Sequence, residues 1–300
     1  MTGPAGNWHR AWRRHLRVCR EEVWGECPGS PAWQAVPLFA EGFTLKASNP
    51  HFSPDSMFGG LRRSLHLSYL QRVEGGLVAL PWPQVAAPLL AMALGDEAGA
   101  LPSYSMDFYT PADPRRCTGA IVDCLELSAA PPERDAVLRL SLKARAEEPN
   151  PALGEDDFDY STLSPVPFTF DRAAVSLNRT ALTDAEGFTL RVQNRLAEGP
   201  NRLGRVGFLL PGKRAVSLEL QGLDDSDALN EAIREDAPFS FEAAFAHPDG
   251  HALALSVPVL HPQANAEEAR PGELARSVVR MEAGTDEQGN DITWSLQLST

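Results

Sequence analysis

Ala40-Glu41-Gly42-Phe43-Thr44-Leu45 recurs intact as Ala185-Glu186-Gly187-Phe188-Thr189-Leu190. Each copy runs on through a basic residue, Lys46 or Arg191, to an asparagine, Asn49 or Asn194. A repeat of this kind governs the reading of the whole chain, because each copy marks the same place in a structural unit. The order of elements after each copy also matches. A polar loop bearing Pro and Gly follows, over residues 48–60 and 194–212, and then a basic pair opens an alternating strand at 62–67 and at 213–220.

Each strand leads to the one helical pattern of its half. Residues 84–94 form the first, with Pro83 at a tolerated first-turn position, Pro88 as a kink and Gly95 as a stop. The second spans 226–235, where Ser226 and Asp227 supply an N-cap and Leu229 and Ile233 an apolar face. Strands return at 104–109, 120–128 and 136–146, and again at 239–246, 252–259, 276–282 and 292–298. Pro131-Pro132, Pro248-Asp249-Gly250 and Glu287-Gln288-Gly289-Asn290 are turns. So little helix beside so many alternating strands predicts a mainly β fold: two similar β-sandwich or barrel modules, each with one flanking α-helix. The join falls in the Pro- and acid-rich stretch 147–167. The modules are therefore expected at 1–160, with a basic N-terminal arm, and at 161–300. Residues 262–272 read as a second flexible segment.

With 300 residues, 43% of them hydrophobic, the chain can bury a substantial core. Pro81, Pro83, Gln84 and Pro88 break up its most apolar stretch, so no membrane span and a soluble protein are expected. The arginines at 10, 13, 14, 17 and 20 are not followed by an apolar run and cleavage site, which predicts cytoplasmic synthesis. Four cysteines without a CxxC pair read as reduced thiols. A net charge of −13 argues against a surface that grips nucleic acid, while suiting a wall along which a polyanion slides.

The residues of catalysis do not assemble into a pattern. Gly-x-Ser-x-Gly, the Walker loop and the dinucleotide fingerprint are absent. His247-Pro248-Asp249-Gly250-His251, with His261 beyond, holds metal-ligand types, but Pro-Asp-Gly is turn chemistry and a hairpin with surface histidines is the better reading. Asp156, Asp157 and Asp159 lack the glycine and terminal glutamate of a calcium loop. No enzyme activity, cofactor or metal is expected.

The stretch from Cys19 through Glu22-Val23-Trp24-Gly25 to Pro28 and Trp33 resembles a familiar opening, with Glu before an aromatic-Gly pair and then small residues and Pro. Tyr104–Tyr109, followed by Cys117-Thr118-Gly119-Ala120 and Val137-Leu138-Arg139-Leu140, is similar to a strand, Gly turn and strand run. Together they resemble the tail tube (major tail) proteins of long-tailed, non-contractile bacteriophages, in the version with a duplicated module. That resemblance implies a virion protein assembled in the bacterial host cytoplasm, whose subunits form rings that stack into a tube. Three chains would give six modules and pseudo-sixfold rings. Tape measure and terminator proteins would be neighbours, and DNA a passing cargo that is not specifically bound.

On this reading the inter-subunit candidates are Trp8, Trp12, Arg13, Arg14 and Arg17 of the basic arm, with Asn49, Phe52, Phe58, Asn194, Arg202 and Arg205 of the two loops. Asp224, Asp225 and Asp227 are candidates for an acidic lumen. The rivals are another tail or baseplate component, a β-sandwich module binding carbohydrate or a host surface, and a hydrolase with an unfamiliar site.

Overall fold

The computed structural model describes residues 14–48, 51–52, 67–68, 72–95, 100–129, 135–183, 185–200, 206–222, 235, 237–268 and 276–299. Alternation of apolar and polar residues makes most of these strands. The first ten are β1 (His15–Arg20), β2 (Gln34–Val36), β3 (Leu38–Ser48), β4 (His51–Phe52), β5 (Leu67–Ser68), β6 (Arg72–Ala79), β7 (Tyr104–Tyr109), β8 (Arg115–Ala129), β9 (Val137–Ala144) and β10 (Ala146–Pro149). Helix α1 (Pro83–Leu94) lies between β6 and β7. The second ten are β11 (Ala173–Leu177), β12 (Thr180–Ala181), β13 (Gly187–Gln193), β14 (Ala197–Pro200), β15 (Val206–Leu210), β16 (Ala215–Gln221), β17 (Phe239–Ala246), β18 (Ala252–Glu268), β19 (Arg276–Ala283) and β20 (Thr293–Gln297).

All pairings between these strands are antiparallel, and those of the first ten recur in the second ten. One run is β2-β1-β7-β8-β9-β6-β3 and the other β12-β11-β17-β18-β19-β16-β13. β10 pairs with β8 as β20 pairs with β18, and the hairpins β4-β5 and β14-β15 fill the same gap in each run. The registers agree as well: Leu45, Gly75, Leu142 and Val122 lie opposite one another in sequence, as do Leu190, Leu218, Met281 and Pro262. One further pairing, β8 with β13, joins the runs into a single sheet.

The main core is continuous through both runs. Leu125, Leu127, Leu140, Leu190, Leu218 and Val279 fill one face of the sheet, and Val85, Leu89 and Met92 of α1 pack into the same core. Pro83 occupies the first helical turn, Pro88 lies inside the helix, and Gly95 ends it at φ 88°, donating its N–H to the Ala91 carbonyl. No helix among the described residues is long and apolar enough to cross a membrane.

Several expectations change. The strand that pairs with β3 is 72–79 and not 62–67; Arg62 to His66 lie outside the described residues, and Leu67 belongs to the β4-β5 hairpin. Gly75 and Gly76 interrupt the alternation there, and a Cβ on Gly75 would meet the Thr44 carbonyl oxygen at 2.6 Å. β18 continues through Pro262, which sits beside a register shift where a strand tolerates proline. The stretch 194–212 contains the β14-β15 hairpin. Beyond 150, Leu153 and Phe158 are buried against Ala35, so that stretch is tied to the first run and is no free linker. Of the helix expected at 226–235, all but Glu235 lies outside the described residues.

Candidate functional site

Eight strands run side by side without interruption, in the order β3-β6-β9-β8-β13-β16-β19-β18. Their inner face is the apolar core. Because side chains alternate, their other face gathers the polar positions of every strand.

On that face the charges alternate in sign from strand to strand. Lys46 stands opposite Glu74, and Glu74 opposite Lys143. Arg139 stands opposite Glu126, with 3.5 Å between charged atoms, and Glu126 opposite Arg191. Glu219 accepts a hydrogen bond from Arg280 Nε at 3.1 Å, while Arg139 also donates to Ser128 Oγ at 2.8 Å. Opposite charges directly across a strand pair attract, and like charges would destabilise the sheet. Among the described side chains six cations (Lys46, Arg72, Arg139, Lys143, Arg191, Arg280) and five anions (Glu74, Asp123, Glu126, Glu219, Glu282) share the face, so it is nearly neutral in a protein whose net charge is −13.

The two outermost strands of this sheet each keep one edge without a strand partner among the described residues: β3 on the side away from β6, and residues 264–268 of β18 on the side away from β19. Beside the β3 edge lies a groove of about 590 Å³ lined by Phe43 to Ala47 on one wall and by Phe108, Asp113 and Glu147 on the other, with Arg14 at its margin. Thr44, Lys46 and Ala47 are exposed there. Gly42 enters this strand at a register shift, where a Cβ would lie 2.5 Å from the Phe39 carbonyl oxygen.

Arg14 is thus an exposed arm residue next to an open strand edge. Two other candidates are used inside the chain. Arg17 bonds Asp107 at 2.8 Å and lies 4.6 Å from the Trp33 ring centre, while Asn194, 1% exposed, donates to the carbonyls of Ala93 and Val122 and accepts from Arg214. Neither side chain is offered to a neighbour. Of Phe52 only the backbone is described, in β4. Trp8, Trp12, Arg13, Asn49, Phe58, Arg202, Arg205, Asp224, Asp225 and Asp227 lie outside the described residues.

Sequence reading missed the part played by Glu21. Its buried carboxylate accepts hydrogen bonds from the N–H groups of Gly25 and Gly119 and from Ser105 Oγ, each at 2.8 Å. Trp24 donates to the Gly119 carbonyl, and Arg145 stacks on Trp24 at 5.3 Å and donates to its carbonyl. The Glu and Trp-Gly of the opening segment are therefore a knot binding β1, β7 and β8. Beside it, Asp107 bonds Arg17, Arg116 and Asn150, and its hydrogen bonds hold the Arg116 guanidinium above its ordinary pKa.

His247, Asp249 and His251 do converge, with one ligand atom from each within 4.8 Å of the others. Both nitrogens of His247 are already engaged: Nδ1 accepts from the Asp249 N–H, and Nε2 lies 3.0 Å from the Val166 carbonyl, to which it donates. His251 Nδ1 accepts from the Ser299 N–H. These bonds lock a turn, as expected from Pro-Asp-Gly, but the histidines are not on the surface: His247 and His251 are both buried.

A family model described as phage tail tube protein matches residues 11–295. No curated protein matches the chain.

Proposed function

The chain belongs to the phage tail tube protein family, a structural component of the virion tail, and from that premise we propose that it assembles with copies of itself into stacked rings forming a conduit for DNA during ejection. The observation that carries this reading is the eight-strand sheet with a polar, charge-balanced face and, among the described residues, an edge without a strand partner at each end. A sheet finished at both ends within one chain would have them covered or blunted. Here, head-to-tail addition of copies would consume both edges.

The recurring strand partners and registers support a duplicated module, with units at 1–160 and 161–300. Three chains would then bring six modules to a ring. The polar face would turn toward the bore and α1 away from it. Tape measure and terminator proteins are the proposed neighbours, and assembly takes place in the host cytoplasm. The protein carries out no catalytic step in this role.

Negative-stain electron microscopy of concentrated purified protein tests the proposal. Long hollow tubes of uniform diameter are expected. Protein that stays monomeric under crowding and after addition of tail partners would overturn it.

A further inference from the structure

We propose that Cys19 and Cys27 form a disulfide when the protein leaves a reducing environment, closing residues 19–27 into a covalent loop that stiffens the Glu21 knot. The reading above enters only as the change of surroundings: thiols persist in a cytoplasm and oxidise outside a cell.

β1 ends at Arg20, and the chain returns to pair at Gln34 opposite Val18. Between them Glu26 donates its N–H to the Val23 carbonyl at 3.0 Å, which reverses the chain and carries Cys27 back toward Cys19. The two sulfurs are near enough for the charge of one thiolate to act on the other, and both lie within reach of the Arg116 guanidinium. Cys19 is buried; its thiol donates to the Arg20 carbonyl at 3.5 Å, and its sulfur accepts from the Ala32 N–H. Cys27 is half-buried. Of the other two thiols, Cys117 is buried, and Cys124 lies on the charged face beside Arg191.

Exposure sets the order of events. A low-molecular-weight disulfide such as oxidised glutathione meets Cys27 first. The Cys27 thiolate attacks one of its sulfurs, the sulfur–sulfur bond breaks, and one glutathione thiolate leaves. Burial, and then the neighbouring Cys27, hold the Cys19 thiol above its ordinary 9.0, so it reacts second. Its thiolate attacks the Cys27 sulfur and expels the other glutathione thiolate. The protein gives up two electrons and two protons, and the oxidant becomes two thiols. The positive charge of Arg116 favours the thiolate that each step needs. The closed loop contains Glu21, Trp24 and Gly25, which tie β1 to β7 and β8, and it restricts the unfolded chain.

The purified full chain, first reduced and then incubated with oxidised glutathione, is denatured for a count of free thiols, and its unreduced peptides are mapped by mass spectrometry. Loss of two of the four thiols is expected, with a peptide joining Cys19 to Cys27 and no covalent dimer. The urea midpoint should be higher for the oxidised than for the reduced protein. Cys27→Ser, which alters only a half-buried side chain, should abolish both the link and the difference in midpoint. Four free thiols, a glutathione adduct that persists on Cys27, a bond to Cys117 or Cys124, a link between chains, or an oxidised midpoint no higher than the reduced one overturns the proposal. None of these readouts requires tubes, so self-assembly is decided separately by the microscopy above.

Discussion

Asp107 has no exposure to solvent, and its carboxylate is the partner of two guanidinium groups, those of Arg17 and Arg116. Asp107→Asn keeps the shape and removes the charge, leaving Arg116 without its anion and Arg17 with only the more exposed Asp157 at 3.5 Å. The expected loss is about 3 kcal/mol, the low end for breaking a buried pair because both arginines still reach water; the shift of the urea midpoint at constant slope measures it. Gly119 sits at φ 68°, and a Cβ there would come 2.8 Å from Arg145 Cβ and 3.0 Å from the indole nitrogen of Trp24. Gly119→Ala should therefore cost about 2 kcal/mol through backbone strain and displacement of the Trp24 bond, read as a lower melting temperature. Burial raises the thiol pKa of Cys117 from an ordinary 9.0 and pushes the Tyr160 phenol up to about 12. Both groups stay neutral in the fold while the unfolded chain ionises. Their contribution is complete below pH 9.0 and is lost as pH rises, through the Tyr160 value of about 12 on the phenol's side. Urea midpoints should fall steadily above pH 9.0, and Cys117→Ala should flatten the first part of that decline.

The strands follow from the alternation of residues where both faces have clear roles. β7 and β17 lie where the pattern predicts them, and β16 and β19 do so within a residue or two. β6 was hidden by the Gly75-Gly76 pair, and β18 beyond residue 259 by Pro262, since each residue type argues against a strand until its partners are known. β1 was read as part of a basic arm, because the partner that makes Arg17 a strand residue, Asp107, is 90 residues away in sequence, and β2 is three residues long, too short to show an alternation. The edge strand of the site was legible as a repeated hexamer. The ladder of charges was not, because it exists only after eight strands take a common register. Its individual rungs are weak. Glu219 and Arg280 are both substantially exposed, so Glu219→Gln should move the unfolding free energy by less than about 0.5 kcal/mol in a denaturant titration. Phe188 contrasts with it, being fully buried against Phe170, Phe241 and Phe245, and Phe188→Ala should cost about 3–5 kcal/mol by the same titration.

At the scale of the molecule, net charge and local charge give different answers. A protein at −13 is acidic overall, yet the polar face of its long sheet carries cations and anions in nearly equal number. Assembled protein mixed with duplex DNA in low salt is expected to leave its electrophoretic mobility unchanged. A retarded band would show that the polyanion finds a grip that the pairing of charges should deny it.

The strand-to-strand ladder would carry a mechanical consequence if its face lines a bore, as proposed. Arg139 and Arg280 each already pair with a glutamate one strand away, and Lys143 with Asp123, so a passing phosphate would have to break a protein ion pair before it could stick to them. No sodium or magnesium need be exchanged at the wall as the helix advances, and drag there should scarcely change between dilute and concentrated electrolyte.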